Sequence, residues 1–225
     1  MNSDLKVLQT TFIEVFLKLA LTGITLGMIW LDIAVFKTRI LEVSFVEITQ
    51  EVMLGLCAVL FLTSAKYQNK GFNVLLGGFF GCLLARELDG LLDPIAHSAW
   101  YWPFTAIIML TVGFVFNEKN RQTTLHALAT FTHMRAFGTM TTALTILVFS
   151  RVFGMGSFWH LVLGEGYVRL AKTTVEESIE LLAYSMWLAA SIEIYLSVQP
   201  QKKKIAVRKY TYKYKPSQTP VDNYK

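Results

Sequence analysis

Six long apolar stretches dominate this sequence and restrict what it can fold into. A helix needs roughly 20 mostly apolar residues to cross the hydrocarbon core of a bilayer. Because no water is present there, the backbone N–H and C=O groups must bond to each other, as they do within a helix. We therefore predict an all-α integral membrane protein, a bundle of six transmembrane helices. The predicted spans are Val15–Phe36, Phe45–Tyr67, Gly71–Asp93, Trp100–Phe116, Met134–Phe153 and Val175–Val198.

The overall composition agrees with a membrane protein. Of the 225 residues, 53% are hydrophobic and 16% are charged, whereas about 25% of the residues of a typical soluble domain are charged. No linker rich in Ser, Gly or Pro divides the chain. We interpret residues 1–200 as a single membrane domain and residues 201–225, which are basic and rich in Tyr, as a flexible cytoplasmic tail.

The positively charged residues predict how the bundle is oriented. Six spans place both termini on one side of the membrane, and Lys and Arg are concentrated in the segments on that side. Since cytoplasmic segments are rich in Lys and Arg, we predict that both termini are cytoplasmic and that the membrane is a bacterial cytoplasmic (inner) membrane. The side of the termini carries Lys6, Lys66, Lys70, Lys119, Arg121, Arg135 and the tail from Lys202 to Lys225, whereas the opposite side carries Lys37, Arg39, Arg86, Arg151, Arg169 and Lys172.

Acidic residues concentrate at the opposite, outer ends of the spans. The stretch 175–182 carries three glutamates where an apolar span begins, and the second and third spans have carboxylates at the same level. The fifth span ends at this level in an arginine. We therefore predict one polar site at the outer ends of the spans. Its candidate residues are Glu47, Glu51, Arg86, Glu87, Asp89, Asp93, His97, Arg151, Glu176, Glu177, Glu180 and Tyr184.

The balance of charge in this layer indicates what the site does. A charge near the hydrocarbon boundary is costly unless it is paired or hydrated, so such groups usually face the bundle interior. The acids outnumber the bases, so we expect some carboxylate to be protonated, to be hydrated in a cavity or to bind a cation. This surplus favours transport, or the handling of ions or protons, at a site open to the outer face.

A purely structural role for the same residues is the alternative. Glutamates in the first turn of a helix are stabilised by the positive end of the helix dipole. Arg–Glu pairs between helices can also serve only to fix helix register. The agreement in depth between spans that are unrelated in sequence favours a shared site over this alternative.

Helical spacing predicts a specific ion pair within this site. Glu177, Glu180 and Tyr184 share one stripe of the sixth span because they are three and four residues apart. Arg86 is the base inside the third span, and a guanidinium can bind two carboxylate oxygens at once. We predict that Glu177 and Glu180 turn into the bundle and meet Arg86, while Glu176 points towards the lipid headgroups.

Enzymatic and metal-dependent functions have less support in the sequence. No H-E-x-x-H, H-x-x-x-H, E-x-x-H or G-x-S-x-G pattern occurs, so no catalytic residue is assigned, no cofactor is predicted and an enzyme is not favoured. A divalent cation stays open as a ligand, and its predicted ligands are Glu177, Glu180, Asp93 and His97. Two alternatives to transport remain, a membrane-embedded enzyme that is possibly metal-dependent and a non-catalytic subunit of a larger membrane complex.

The predicted partners follow from the surfaces of the bundle. The basic tail is expected to bind anionic lipid headgroups, and no nucleic-acid partner is predicted. Gly23 and Gly27 in the first span, and Gly77 and Gly81 in the third, form G-x-x-x-G pairs, which allow helices to approach closely. We expect these pairs to pack the first span against the third, with a homodimer or a partner membrane subunit as the alternative. Residues 154–166 are expected to form an outer loop with a short interfacial helix.

Overall fold

The structure is a computed structural model that describes residues 3–36, 44–92 and 96–213, except for the side chains of Ser3, Lys6 and residues 198–213. Every regular element within these ranges is helical, and they contain no strand. The helices are α1 (Ser3–Trp30), which continues into a π-helical segment (Leu31–Phe36), α2 (Phe45–Ser64), α3 (Lys70–Glu87), α4 (Asp89–Leu92), α5 (Tyr101–Phe116), α6 (Glu118–Phe131), α7 (Arg135–Gly154), α8 (Gly156–Leu163), a 3-10 turn (Gly164–Gly166) and α9 (Arg169–Lys213).

Four of these helical stretches are long and apolar enough to cross a membrane. They are Val7–Phe36, Phe45–Ser64, Arg135–Gly154 and Arg169–Ser197. They correspond to the first, second, fifth and sixth predicted spans. The prediction of an all-helical protein with helices suited to span a membrane is therefore confirmed for the described residues. The third and fourth predicted spans correspond to α3 and α5, which are apolar helices of 18 and 16 residues.

Helix α9 lies at the centre of the described bundle. It packs against α1, α2 and α7, and most of its membrane-crossing stretch is buried, whereas most of α1 is exposed. Small side chains let the neighbouring helices approach α9 closely. The buried residues of α9 include Ala183, Ser185, Ala189, Ala190 and Ser191.

Aromatic side chains connect α9 to the two helices beside it. The ring of Phe61 in α2 stacks on Phe80 in α3 at 5.8 Å, and Phe80 meets the edge of Trp187 in α9 at 5.5 Å. Trp187 in turn stacks on Tyr184 at 5.7 Å. Offset and edge-on pairs of this kind add to the stabilisation that comes from burying the rings. Helix α3 then extends the bundle outward, because it packs against α2, α5 and α6.

The glycine pairs do not pack as the sequence predicts. A Cβ atom at Gly77 would lie 2.8 Å from Leu62 of α2, so this glycine allows α2 and α3 to approach closely. Gly23 and Gly27, by contrast, have no atom within 4 Å of such a position. The predicted packing of the first span against the third is therefore wrong, and α1 lies against α9 and α2 instead. A homodimer through α1 stays a prediction.

Three further features differ from the sequence prediction. Helix α9 does not end at Val198, where the sixth predicted span ends, but continues to Lys213. Most of residues 201–213 are Lys, Arg, Gln or Ala, which favour helix. The third predicted span breaks at Leu88, before its predicted end. Helix α6 lies between the fourth and fifth predicted spans, where no helix was predicted, and it buries Thr124 and Phe131 on one face. The short helix predicted after Gly154 is present as α8.

Candidate functional site

Four helices bring polar side chains together at one end of the bundle, which we call the cavity end. The N-terminal turns of α2 and α9 meet there with the C-terminal turn of α3 and with α4. Between them lies a cavity of about 180 Å³, the carboxylate cavity. Its lining residues are Glu47, Gln50, Glu51, Arg86, Glu87, Asp89, Gly90, Leu91 and Glu177. Six of the predicted site residues thus share one cavity.

The start of α2 is fixed by two acceptors for its free backbone N–H groups. The fully buried carboxylate of Asp32 accepts hydrogen bonds from the N–H groups of Phe45 at 3.0 Å and Val46 at 2.7 Å. The hydroxyl of Ser44 accepts one from the N–H of Glu47 at 3.2 Å. A helix start leaves such donors without intrahelical partners, so these acceptors set where the first turns of α2 and their glutamates lie.

Gln50 joins α2 to α9 inside this cavity. Its side-chain N–H₂ donates to the carboxylate of Glu177 at 3.0 Å and to the backbone carbonyl of the same residue at 3.2 Å. Gln50 is almost completely buried. This contact confirms that Glu177 turns into the bundle, but its partner is a neutral amide from α2 rather than the predicted Arg86.

Glu180 forms the core of a second polar group on the α7 side of α9, the Arg151 cluster. The Glu180 residue is 3% exposed, and its carboxylate forms an ion pair with Arg151 and accepts a hydrogen bond from Ser150 at 3.2 Å. The predicted pairing with Arg86 is therefore wrong. Helix α9 packs directly on α7, whereas α3 packs on α2. The guanidinium of Arg151 on α7 is therefore the one that contacts Glu180.

Glu176 belongs to the same cluster and does not point away from the protein. Its carboxylate lies 3.8 Å from Arg151 and 3.5 Å from Lys172, and the side chain is mostly buried. A Cβ atom at Gly154 would lie 2.8 Å from the carboxyl carbon of Glu176, so the glycine leaves room for the acid. The prediction that Glu176 points towards the headgroups is wrong because Arg151 and Lys172 attract it into the seam between α7 and α9.

Tyr184 connects the centre of the bundle to the cavity. Its buried hydroxyl donates to the carboxylate of Glu87 at 2.9 Å, and this carboxylate lies 3.4 Å from the guanidinium of Arg86. The side chain of Arg86 is 46% exposed, so the guanidinium sits at the rim of the cavity. Glu87 is thereby held by a neutral donor from α9 and a charged donor from its own helix.

The predicted metal ligands are not gathered in one place. His97 is exposed and does not line the carboxylate cavity, and Asp93 lies outside the described residues. Within the described part of the chain, no three His, Cys, Asp or Glu side chains are placed to hold a metal ion. A divalent-cation site made of Glu177, Glu180, Asp93 and His97 therefore stays a prediction.

The charge in the carboxylate cavity is strongly unbalanced. Five of the residues that line it are acids and one is a base, Arg86. Carboxylate oxygens accept hydrogen bonds and attract cations, whereas the guanidinium donates and attracts anions. The arrangement is suited to a bound cationic group, with one fixed position for an anionic group at the rim.

Three residues that make polar contacts in this region, Ser44, Asp32 and Gln50, are not among the predicted site residues. Ser44 and Glu47 form the S-x-x-E pattern of a helix capping box, which indicates a helix start and was readable in the sequence. Asp32 and Gln50 carried no such signal, because their partners lie on other elements.

Comparison of the chain with protein-family models, with curated protein sequences and with solved structures finds no significant match.

Arg151 and Glu180 should be energetically coupled. The variants Arg151→Gln and Glu180→Gln each remove the ion pair, so the double variant has no second pair to lose. We expect its loss of unfolding free energy to be smaller than the sum of the single losses by about 0.5–3 kcal/mol, the range for contacting residues. Unfolding in mixed micelles, followed by circular dichroism, measures these free energies.

Arg135 provides the matched control because it lies at the other end of α7, about 24 Å from Arg151 along the helix axis. The losses for Arg135→Gln and Glu180→Gln should add to within about 0.5 kcal/mol. A coupling of Glu180 to Arg86 as large as its coupling to Arg151 would contradict the geometry described above.

Proposed function

We propose that this protein is a small six-span membrane protein that binds a cation or proton in the carboxylate cavity, as part of transport or ion handling. The observation that carries this proposal is the surplus of carboxylates around a partly open cavity at one end of the bundle. A charged glutamate near the hydrocarbon boundary raises the free energy of the folded protein unless a ligand, a proton or water compensates its charge. A cationic ligand removes this cost directly.

The direction of each helix supports six crossings. Asp32 follows α1 and caps α2, so α1 ends and α2 begins at the cavity end. Glu87 lines the cavity, so α3 also ends at the cavity end, and Arg151 pairs with Glu180, so α7 ends there too. A bundle of six spans needs one crossing between α3 and α7, and α5 is an apolar helix in that part of the chain. Helix α9 leaves the cavity end, so in this proposal both ends of the bundle lie on the opposite side.

The charge distribution gives this six-span bundle an orientation. The side of the termini carries most of the Lys and Arg in the connecting segments, and such segments remain in the cytoplasm. The carboxylate cavity then faces the outer side of the membrane. Since buried Tyr184 and Trp187 follow Glu177 along α9, a ligand reaches the cavity from the outer end of the bundle.

Ion movement through reconstituted protein tests the function. Liposomes that contain the full chain and an internal pH-sensitive dye are given an inward Na⁺ gradient, a K⁺ gradient or a K⁺–valinomycin potential. We expect a protein-dependent pH change that falls about tenfold in Glu177→Gln and Glu87→Gln, equivalent to about 1.4 kcal/mol of lost interaction with the transported cation.

Glu165→Gln is the matched control, because Glu165 is an exposed acid in the 3-10 turn away from the cavity. Its rates should equal those of the unmodified protein. The absence of any pH change above protein-free liposomes under all three gradients would overturn the proposed function, as would equal losses in all three variants.

Reporter fusions test the orientation separately. Fluorescent protein fused after Lys225 should fluoresce and alkaline phosphatase fused there should be inactive, because both termini are proposed to be cytoplasmic. Fusions after Gly164, in the turn between α7 and α9, should give the opposite result. An active phosphatase at Lys225 would reverse the orientation and place the cavity on the cytoplasmic side.

A further inference from the structure

An apolar groove lies between α3 and α5 and has a volume of about 380 Å³. Nearly all of its lining is apolar, and several of its side chains are well exposed. The residues that form its two walls include Leu75, Phe79 and Cys82 on α3 and Phe104, Ile108 and Val112 on α5.

The helix face that forms the α3 wall continues beyond the groove to Arg86. Leu75, Phe79, Cys82 and Arg86 are separated by four, three and four residues, so they follow one face of the helix. From Leu75 to Arg86 the helix rises about 16 Å, at 1.5 Å per residue. This is about half of the roughly 30 Å hydrocarbon core of a bilayer. The groove and the helix face beyond it, up to Arg86, therefore have about the length of one leaflet.

The helix face that forms the α5 wall continues to an aromatic side chain. Trp100 precedes α5 by one residue and lies on the face that continues through Phe104 and Ile108, four residues apart in turn. Its ring packs edge-on against Phe104 at 5.6 Å. Tryptophan is enriched at the depth where lipid headgroups meet the hydrocarbon. Beyond the groove, both helices thus carry a residue suited to the headgroup region, Arg86 on α3 and Trp100 before α5.

Arg86 lies on the helix face that forms the α3 wall of the groove, one turn beyond Cys82, and its side chain lines the cavity. Its guanidinium pairs with Glu87 at 3.4 Å. A molecule with its hydrocarbon chain in the groove would place its polar end beside this guanidinium. A guanidinium binds a phosphate with parallel hydrogen bonds, and the carboxylates beyond it are suited to a cation.

We propose that groove and cavity together bind a phospholipid whose headgroup carries a primary amine. One acyl chain lies between α3 and α5, the phosphate accepts hydrogen bonds from Arg86, and the ammonium group enters the carboxylate cavity. The inference rests on the proposed function, because it names the cation that the cavity takes.

The chemistry of the cavity favours a primary amine over other lipid headgroups. An ammonium group donates three hydrogen bonds to carboxylates, whereas a quaternary choline has no N–H to donate. A glycerol headgroup would bring its negative phosphate towards five acids without any positive charge to offset them. The ligand that fits must therefore carry a phosphate that binds Arg86. It must also carry, further along the headgroup, a cation that donates hydrogen bonds to the carboxylates.

Native mass spectrometry of the delipidated full chain in detergent tests this inference. The chain is titrated with phosphatidylethanolamine, phosphatidylcholine and phosphatidylglycerol that have identical acyl chains. We expect phosphatidylethanolamine to bind about tenfold more tightly than the other two, equivalent to about 1.4 kcal/mol. Glu177→Gln should abolish this preference, because it removes a carboxylate that receives the ammonium group. Arg86→Gln, which removes the partner of the phosphate, and Ile108→Trp, which fills the groove, should each weaken the binding of all three lipids.

Two exposed residues provide matched controls. Leu110→Trp adds the same bulk to α5 at an exposed position outside the groove, and Arg121→Gln removes an exposed base from α6. Neither should change the affinity for any of the three lipids. Equal affinity for the three lipids, tighter binding of phosphatidylglycerol, or a preference that survives Glu177→Gln would overturn the inference. So would chain dimers that Ile108→Trp dissociates, because the groove would then hold a second copy.

The outcome separates this inference from the proposed function. Selective lipid binding without any ion flux in liposomes would leave a lipid site and overturn ion handling. Flux that depends on Glu177, combined with unselective lipid binding, would leave ion handling and overturn the lipid assignment.

Discussion

The structure depends on how the charges of α9 are neutralised where this helix enters the bundle. Glu180 is almost completely buried on the central helix, and it is held by Arg151 and Ser150 of α7. A carboxylate in this position is tolerated only with such partners, because an unpaired charge away from water is very costly. The same requirement aligns α7 with α9, since the ends that carry the partners must lie at one depth.

Glu177, one helical turn away, is neutralised differently. Its partner in the structure is Gln50, which supplies hydrogen bonds but no positive charge. Arg151 is shared by Glu176 and Glu180 on the other side of the helix. The two polar groups of α9 therefore have different characters. The Arg151 cluster is compensated within the protein and suits a structural role, whereas the carboxylate cavity retains the surplus acids that favour a cationic ligand.

The sequence predicts the elements of this fold better than their contacts. Apolar length alone locates the four helices that are suited to cross a membrane, and the agreement in depth of the acidic residues correctly predicts that the helix ends meet. The partner of Glu180 could not be predicted in this way, because Arg86 and Arg151 lie at the same predicted level and only helix packing separates them. The role of Asp32 could not be predicted from the sequence either, since it caps a helix that begins 13 residues later. Helix α6 was missed because its apolar face is short and its composition is polar.

The contact between Gln50 and Glu177 is the most direct measure of whether α2 and α9 form the carboxylate cavity. Its test is disulfide formation in native membranes between Gln50→Cys and Glu177→Cys, in a chain that also carries Cys57→Ala and Cys82→Ala and a protease site between α6 and α7. We predict that mild oxidation keeps the two cleaved halves joined until a reductant is added. Halves that separate without reductant, or that are joined equally well when Glu193→Cys at the far end of α9 replaces Glu177→Cys, would contradict this account.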